Sequence, residues 1–389
     1  MNPSSLKGMR VIDFSWIMAG PMATKMLGAM GAEIIKIESS VRPEFSKRDG
    51  MFSVINRNKL SCTLNITSIE GQALVRKLVE QSDVVVENFS GRVLKQYGLS
   101  YDDLRQIKPD LIFVSASGLG RTGPQRDALA YGSLLQGYSG RVSMIGKLNP
   151  DLEAMGILPA WTDPMTALWE VLAILAAWRH REQTGEGAYI DLSMLESTVA
   201  LLPGSLLAAA LDQPSVVNLE GAEPGAAPSG CFRCAGHDEW LAVSVLNDSH
   251  WKSLCTAMQR PDLWEDDDFS NTSQRLQAKA VLDEHLKAWL CTHSSAESER
   301  LFQKHGIPAA RSRNIGELIG DEHLNKRGVF RHVGEEIEMS PFPWLANDGW
   351  RGHSWPTRNI GADNEYVFGE LLGLSATQQQ ELVNAGVIR

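Results

Sequence analysis

Met9-Arg-Val-Ile-Asp-Phe14 and Ala32-Glu-Ile-Ile-Lys-Ile-Glu38 are the stretches that decide the fold. Each is a short apolar run with the length of a buried strand, and a segment with helical character, 22–30, lies between them. The alternation continues with a helix over 69–81 and a strand over 83–87. Strands that alternate with helices are typical of a parallel sheet covered by helices on both faces. We therefore predict an α/β fold.

The composition is that of a globular protein with a large core. The chain has 389 residues, 43% of them hydrophobic, and a formal net charge of −10. This acidic balance argues against a nucleic-acid partner, because binding the phosphate backbone requires a basic face. The N-terminus lacks a charged and then apolar targeting segment, and the apolar helix over 165–178 is too short to cross a bilayer. We expect a cytoplasmic protein with no membrane partner.

The second half of the chain has a different organisation. Residues 212–229 are rich in Pro, Gly and Ala, which is typical of a linker or a mobile loop. Strand patterns follow over 230–245, and helical patterns follow near 248–258, 274–291 and 296–305. These patterns predict a smaller unit beyond the linker.

Two motifs could suggest a bound cofactor, and both are weak. Gly118-Leu-Gly-Arg-Thr-Gly123 has the GxGxxG spacing of a dinucleotide loop, but Pro124 follows at once and no helical pattern opens there. Cys231 and Cys234 form a CxxC pair without the second Cys or His pair that a zinc site requires. We predict no metal and no dinucleotide.

Asp163 stands between Thr162 and Pro164 at the start of the apolar helix. Proline suits the first position of a helix, so we predict that Asp163 is the N-cap. The free amides and the helix dipole favour the anion there, and an ionised carboxylate is able to attack a carbonyl carbon. On these residues alone, an ordinary capping aspartate is the more common interpretation.

An ordered set of motifs along nearly the whole chain resembles the family III CoA-transferases, which include formyl-CoA and carnitinyl-CoA transferases. The motifs fall at 6–14, 19–21, 31–38, 56–59, 83–89, 117–124, 130–131, 163 and 181–187. The resemblance implies a large Rossmann-like domain whose parallel sheet is formed by both chain ends, 1–211 and 331–389. It further implies a linker over 212–229, a small α+β domain over 230–330, and an interlocked homodimer. The Gly/Ala-rich loop 220–228 lies where related enzymes carry a lid, but a plain linker is the alternative.

The resemblance also implies a reaction. It places the covalent nucleophile on Asp163, which would carry CoA from an acyl-CoA donor to a small carboxylic acid as an aspartyl-CoA thioester. CoA would be a substrate, with no tightly bound cofactor. By position, the family's CoA contacts fall on Met18, Ala19, Leu64, Thr67, Asn88, Phe89, Ser90, Ala130 and Tyr131.

Three departures from the family pattern remove charges that would hold the phosphates of CoA. The Arg that often follows the second strand is Ser39 here, with Arg42 nearby. A Lys contact is replaced by Thr67. A second Arg is replaced by Gln96, beside Lys95 and one turn after Arg92. Arg42 and Lys95 are the candidate substitutes in the phosphate site, and a solvated surface charge is the alternative for Arg42, Arg92 and Lys95 alike.

Three alternative functions remain open on the same fold. An α-methylacyl-CoA racemase would pair the Asp with a His, but the corresponding position is Tyr131, a poor base at neutral pH, and 117–162 contains no histidine. A lyase or hydrolase could use the same aspartyl chemistry. A non-catalytic CoA-binding protein would not need the nucleophile.

Gly132 stands where formyl-CoA transferases have a Glu, which argues against oxalate or formate as substrates.

Overall fold

The computed structural model describes residues 5–39, 50–142, 161–212, 225–333, 336–346 and 349–389. Six strands form one parallel sheet in the order β3-β2-β1-β4-β5-β6. Their bounds are β1 Arg10–Asp13, β2 Glu33–Glu38, β3 Leu60–Thr63, β4 Val84–Glu87, β5 Ile112–Ser117 and β6 Ala188–Ser193. The predicted α/β fold with a parallel sheet is confirmed. The strand order reverses between β1 and β4, and the carboxyl ends at such a switch point are where open α/β sheets bind ligands.

Eight helices are described between residues 19 and 199, and some of them cover this sheet. They are α1 Ala19–Ala29, α2 Met51–Ile55, α3 Ile69–Glu80, α4 Val93–Gln96, α5 Tyr101–Leu104, α6 Gly132–Tyr138, α7 Thr162–Thr184 and α8 Met194–Val199. No helix in the described ranges has both the length and the apolar character that a bilayer span requires.

Alternate residues of the strands pack on opposite faces of the sheet, as the strand geometry dictates. Val85 joins a cluster with Leu74 and Leu78 of α3, which begins after the Ser68 cap. Val84 and Val86 face the other way, toward a cluster that includes residues of α1 and α7. Both faces of the sheet are therefore buried, which explains the nearly continuous apolar runs in the sequence.

The chain divides into two compact units, the larger comprising Met1–Ser139, Ile157–Leu201 and Glu322–Arg389. The smaller comprises Gly140–Gly156 and Leu202–Asp321. Its described part contains the antiparallel sheet β7-β8-β9, with bounds β7 Ser229–Arg233, β8 Trp240–Ser244 and β9 Ala309–Arg311. Its helices are α9 Pro203–Ala210, α10 Asp248–Ala257, α11 Pro261–Glu265, α12 Thr272–Gln277, α13 Lys279–Leu290, α14 Ser295–Lys304 and α15 Ile315–Ile319, with a 3₁₀ turn at Asp267–Phe269.

Part of the loop 220–228 lies outside the described residues, and the rest belongs to the smaller unit. Ala226 and Ala227 are buried. The Ala227 N–H donates to the Val245 carbonyl, and the Val245 N–H donates to the Pro228 carbonyl. The Ala227 carbonyl accepts from the Arg275 guanidinium at 3.2 Å. The described end of this loop is therefore fixed to its own unit.

The C-terminal residues return to the larger unit without extending its sheet. They form α16 Glu322–Lys326, the hairpin β10 Phe330–Val333 with β11 Glu336–Met339, a π-helix Glu365–Leu371 and α17 Ala376–Asn384. In the described chain, no residue beyond Ser193 adds a strand to the six-stranded sheet, so the prediction of a sheet formed by both chain ends is wrong.

Side chains occupy the place that another strand would take at the β3 edge. The backbone N–H of Ser61 donates to Asp363, and that of Thr63 donates to Asn364. These hydrogen bonds satisfy backbone N–H groups at the sheet edge that would otherwise be free to pair with another strand. The tail also places Val367 and Phe368 in the core, so it covers the sheet through packing.

Candidate functional site

Asp163 lies in the first turn of α7 and does not cap it. The helix begins at Thr162 and its N-cap residue is Trp161, which makes Asp163 the second and Pro164 the third helical residue. The N-cap prediction is therefore wrong. Every amide in the first turn lacks an intrahelical partner, so proline is tolerated throughout that turn and does not mark the first position.

Two buried threonines anchor this turn. The Thr162 hydroxyl donates to the Gly132 carbonyl at 3.0 Å, and the Thr166 hydroxyl donates to the Thr162 carbonyl at 2.7 Å. The first bond joins the start of α7 to the start of α6, whose N-cap is Tyr131. Asp163 is thereby held near the loop that leads from β5 into α6.

Burial raises the pKa of Asp163 to about 6, and a backbone hydrogen bond opposes that shift only in part. Within the described ranges, no basic side chain forms an ion pair with this half-buried carboxyl group. The backbone contribution favours the anion, as expected at a helix terminus, but burial outweighs it and the net shift of the pKa is upward. Most molecules still carry the ionised form at neutral pH, because that pH exceeds the pKa.

A buried polar network lies where β1 ends. Asp13 accepts hydrogen bonds from Thr24 and from the Lys59 ammonium at 2.9 Å, and Lys36 donates to the Ser15 carbonyl. Burial alone would raise the pKa of Asp13, but Lys59, Lys36 and the hydroxyl donors together hold it below its usual range. The motif at 56–59 is therefore part of the core, where it fixes the carboxyl end of β1.

A second network lies where β4 and β5 end. The Arg121 guanidinium donates to Glu87 at 2.9 Å, to Ser115 at 2.6 Å and to the Phe89 carbonyl at 2.7 Å. The Arg121 backbone N–H donates to both Asp191 oxygens. The glycine-rich segment is thus a turn tied to β6, and the next helix begins only at Gly132.

Several predicted CoA contacts meet at the switch point. Asn88 accepts from the Trp16 N–H at 2.8 Å and donates to the Trp16 carbonyl at 2.7 Å, which joins the loop after β1 to the loop after β4. Phe89 packs edge-on against Trp16. Met18 is the N-cap of α1 and Ala19 is its first residue.

Two adjoining clefts open beside these loops, with volumes of about 680 and 420 Å³. Ser90, Arg92 and Arg126 line both clefts. Lys95 lines the first, and Asn88, Phe89 and Ala130 line the second. Asp163 is not part of either lining.

The remaining predicted contacts lie elsewhere. Leu64 is 3% exposed and packs in the core, so its side chain is not available to a ligand. Thr67 is exposed, and its backbone and hydroxyl both donate to Asn65. Tyr131 is 66% exposed at the start of α6. Arg42 lies outside the described residues. Over the described ranges, no His, Cys, Asp and Glu side chains cluster as metal ligands.

Sequence reasoning assigned no role to Glu170, which the structure places next to the site networks. It is fully buried on α7, and its pKa is raised well above the usual value, first by burial and then by Asp13 and Glu87. The sequence contained one signal that pointed to Glu170. It is a glutamate two turns after an aspartate in an apolar helix, and that spacing puts both side chains on one face of the helix.

Fold and site define a Rossmann-type α/β protein with a half-buried carboxylate on α7 and two clefts beside the loops at the switch point of its sheet. The profile of CoA-transferase family III matches residues 6–363, so the chain belongs to that family. The predicted family and the prediction of an enzyme of that family are confirmed.

Relatives agree with this assignment. The chain is 29% identical over 386 residues to a succinyl-CoA–D-citramalate CoA-transferase of Chloroflexus aurantiacus, covering 96% of this chain and 95% of the relative. It is 31% identical over 347 residues to a succinyl-CoA:mesaconate CoA-transferase of Haloarcula hispanica, covering 85% and 86%. A crystal structure of a CAIB/BAIF family protein from Brucella suis superposes with a TM-score of 0.86 at 27% identity, covering 95% and 99%.

Proposed function

We propose that this protein moves CoA from an acyl-CoA donor to a carboxylic acid through an aspartyl-CoA thioester on Asp163. The observation that carries the proposal is a half-buried carboxylate in the first turn of α7 that no described cation neutralises. An ion pair would lower its nucleophilicity, whereas partial burial removes water from the attacking oxygen. A pKa of about 6 leaves this carboxylate ionised at neutral pH.

The reaction divides into four substitutions at carbonyl carbons. Asp163 attacks the donor thioester and releases CoA thiolate, leaving a mixed anhydride. The thiolate attacks the Asp163 carbonyl and releases the donor acid. The acceptor carboxylate then attacks the aspartyl thioester, and the thiolate, released again, takes the new acyl group from the second anhydride. One difficult exchange becomes several easier ones, and free amides in the first turn of α7 are candidates to stabilise the oxyanions.

We place CoA along the two clefts beside the switch point. Asn88, Phe89, Ser90 and Ala130 would contact it there, with Met18 and Ala19 at the adjoining end of α1. The phosphates require cations, and Arg92 and Arg126 line both clefts while Lys95 lines the first. These three replace the charges that the sequence lacks at Ser39, Thr67 and Gln96.

The substrates we propose are succinyl-CoA as donor and a dicarboxylic acid as acceptor. Both relatives described above are named for succinyl-CoA, and D-citramalate and mesaconate are both dicarboxylates. We also propose a cytoplasmic location.

We further propose that the active protein is an interlocked homodimer. Large apolar side chains are exposed on the outer faces of α6 and α7, among them Leu134 at 63%, Tyr138 at 57%, Leu168 at 49% and Leu172 at 55%. Apolar surface on this scale marks an interaction site, and a second copy of the chain is the occupant we propose.

One observation favours a second candidate, an isomerase that removes an α-proton from acyl-CoA. A carboxylate whose pKa is raised to about 6 is a suitable general base near neutral pH. Incubation in D₂O separates the two functions, because an isomerase introduces deuterium at the α-carbon and a transferase does not.

Mass spectrometry tests the covalent route. After incubation with succinyl-CoA, quenching and digestion, the peptide that contains Asp163 is expected to carry CoA in a linkage that hydroxylamine cleaves. Asp163→Asn should lose both the adduct and turnover. Glu182→Gln, an exposed carboxylate on the same helix paired with Arg179, is the matched control and should keep both. Wild-type turnover in Asp163→Asn would refute the nucleophile.

A further inference from the structure

Glu170 is the least compensated acidic group in the described part of the larger unit. It is 0% exposed, and no described residue donates a hydrogen bond to either carboxyl oxygen. It follows Asp163 by seven residues on α7, which is two turns, or ~10 Å along the axis on the same helical face. Thr162 and Thr166 on this face are also fully buried.

The charged groups that act on Glu170 come from four elements. Asp13 at the end of β1, Glu87 at the end of β4 and Asp163 on α7 disfavour its anion, while Lys59 before β3 favours it. Lys59 already binds Asp13, and Arg121 already binds Glu87. Both carboxyl oxygens are buried without a donor, an arrangement that disfavours the anion. Burial and these neighbours also raise the pKa of Glu170 well above its usual value.

We propose that Glu170 is a positioning residue. It is an uncharged acid two helical turns after Asp163, and ionisation of Glu170 slows CoA transfer. The inference rests on the proposed nucleophile. Each half-reaction brings an anion, a thiolate or a carboxylate, to the Asp163 carbonyl. A second negative charge ~10 Å away in an effective dielectric of ~20 opposes that approach and slows it by about tenfold.

Acylation of Asp163 also changes the ionisation equilibrium of Glu170. The aspartyl thioester is neutral, so the repulsion that helps Glu170 keep its proton is lost in that intermediate. Glu170 therefore ionises at a lower pH when Asp163 carries CoA. The alkaline limit of the enzyme is set in the acylated state.

The first test is the alkaline side of the rate profile, measured from about pH 6 to about pH 10 as kcat/KM for the acceptor acid, because that substrate reacts with the acylated enzyme. Wild type and the exposed control Glu182→Gln are expected to lose about tenfold at high pH. Glu170→Gln, which is neutral and of the same size, should lose less than about twofold; Glu170→Met serves the same purpose if the amide variant does not fold. The same alkaline loss in Glu170→Gln and wild type would overturn the inference.

Infrared difference spectroscopy gives a readout that does not depend on turnover. The spectrum of wild type minus Glu170→Gln should show a protonated-carboxyl band at neutral pH that disappears on the alkaline side. Asp163→Asn should shift that disappearance to lower pH. An absent band at neutral pH contradicts the role of Glu170 alone. A protein that turns over no acyl-CoA contradicts the proposed function.

Discussion

Asp163 and Glu170 share one face of α7, and burial raises the pKa of both carboxyl groups. The pKa of Asp163 is about 6, so its carboxylate predominates at neutral pH. Glu170 is fully buried, and its pKa is raised well above the usual value. The two carboxyl groups therefore differ in their surroundings, because Asp163 is half-buried in the first turn of α7 and Glu170 is fully buried.

The rate of aspartyl-CoA formation should fall as the pH is lowered through about 6, because only the ionised Asp163 attacks the thioester. Single-turnover measurements with an acyl-CoA and no acceptor acid isolate this step from titration of the acceptor. Full activity well below that pH would contradict the assignment of the pKa to the nucleophile.

Lys59→Met is expected to destabilise the protein by about 3–5 kcal/mol, since it leaves Asp13 buried without its principal cation. Urea unfolding measures the change, and Lys77→Met on the exposed side of α3 is the control. Because the folded pKa of Asp13 is lowered, its contribution is present above the unfolded pKa and is lost as the pH falls toward the folded value. An unchanged free energy of unfolding in Lys59→Met would show that the network is dispensable.

At the scale of elements, apolar runs predicted the position of most strands and long helices. There are physical reasons why the sequence did not indicate the others. β3 is short and half polar, and its edge is satisfied by Asp363 and Asn364, so no strand pattern marks it. The start of α1 includes Gly20 and Pro21, which suggest a turn but are tolerated in a first helical turn. The role of Glu170 depends on residues from β1 and β4, which helical periodicity alone does not reveal.

Gly118→Ala should raise the KM for acyl-CoA about tenfold, which corresponds to ~1.4 kcal/mol of binding. An added Cβ would lie 2.3 Å from the Cβ of Ala130, so the loop that lines the second cleft must move. Gly137→Ala in α6 is the matched control, because its Cβ would meet nothing within 4 Å. Equal KM values for the two variants would mean that the loop does not shape the CoA site.

At the scale of the whole molecule, a net charge of −10 coexists with exposed apolar side chains on α6 and α7. The charge opposes non-specific association, so a lasting contact must come from a defined apolar surface. This combination agrees with the proposed homodimer.

The double variant Leu168→Asp and Leu172→Asp is expected to be monomeric, because burying two carboxylates in an apolar interface is unfavourable. Light scattering measures the mass, and Arg179→Ala at the polar end of the same helix should stay dimeric. A wild-type monomer, or a dimer that persists in the double variant, would contradict the proposed interface.

The five hydrogen bonds made by Arg121 have a consequence for how a ligand arrives. They fasten the segments after β4 and β5 to β6, so we expect the wall of both clefts to be formed before a ligand binds. The chain therefore loses the conformational entropy of that wall when it folds, and no further entropy is lost there when a ligand binds. Capture of a ligand here would proceed at a speed set by diffusion and orientation, without a preceding rearrangement of the scaffold.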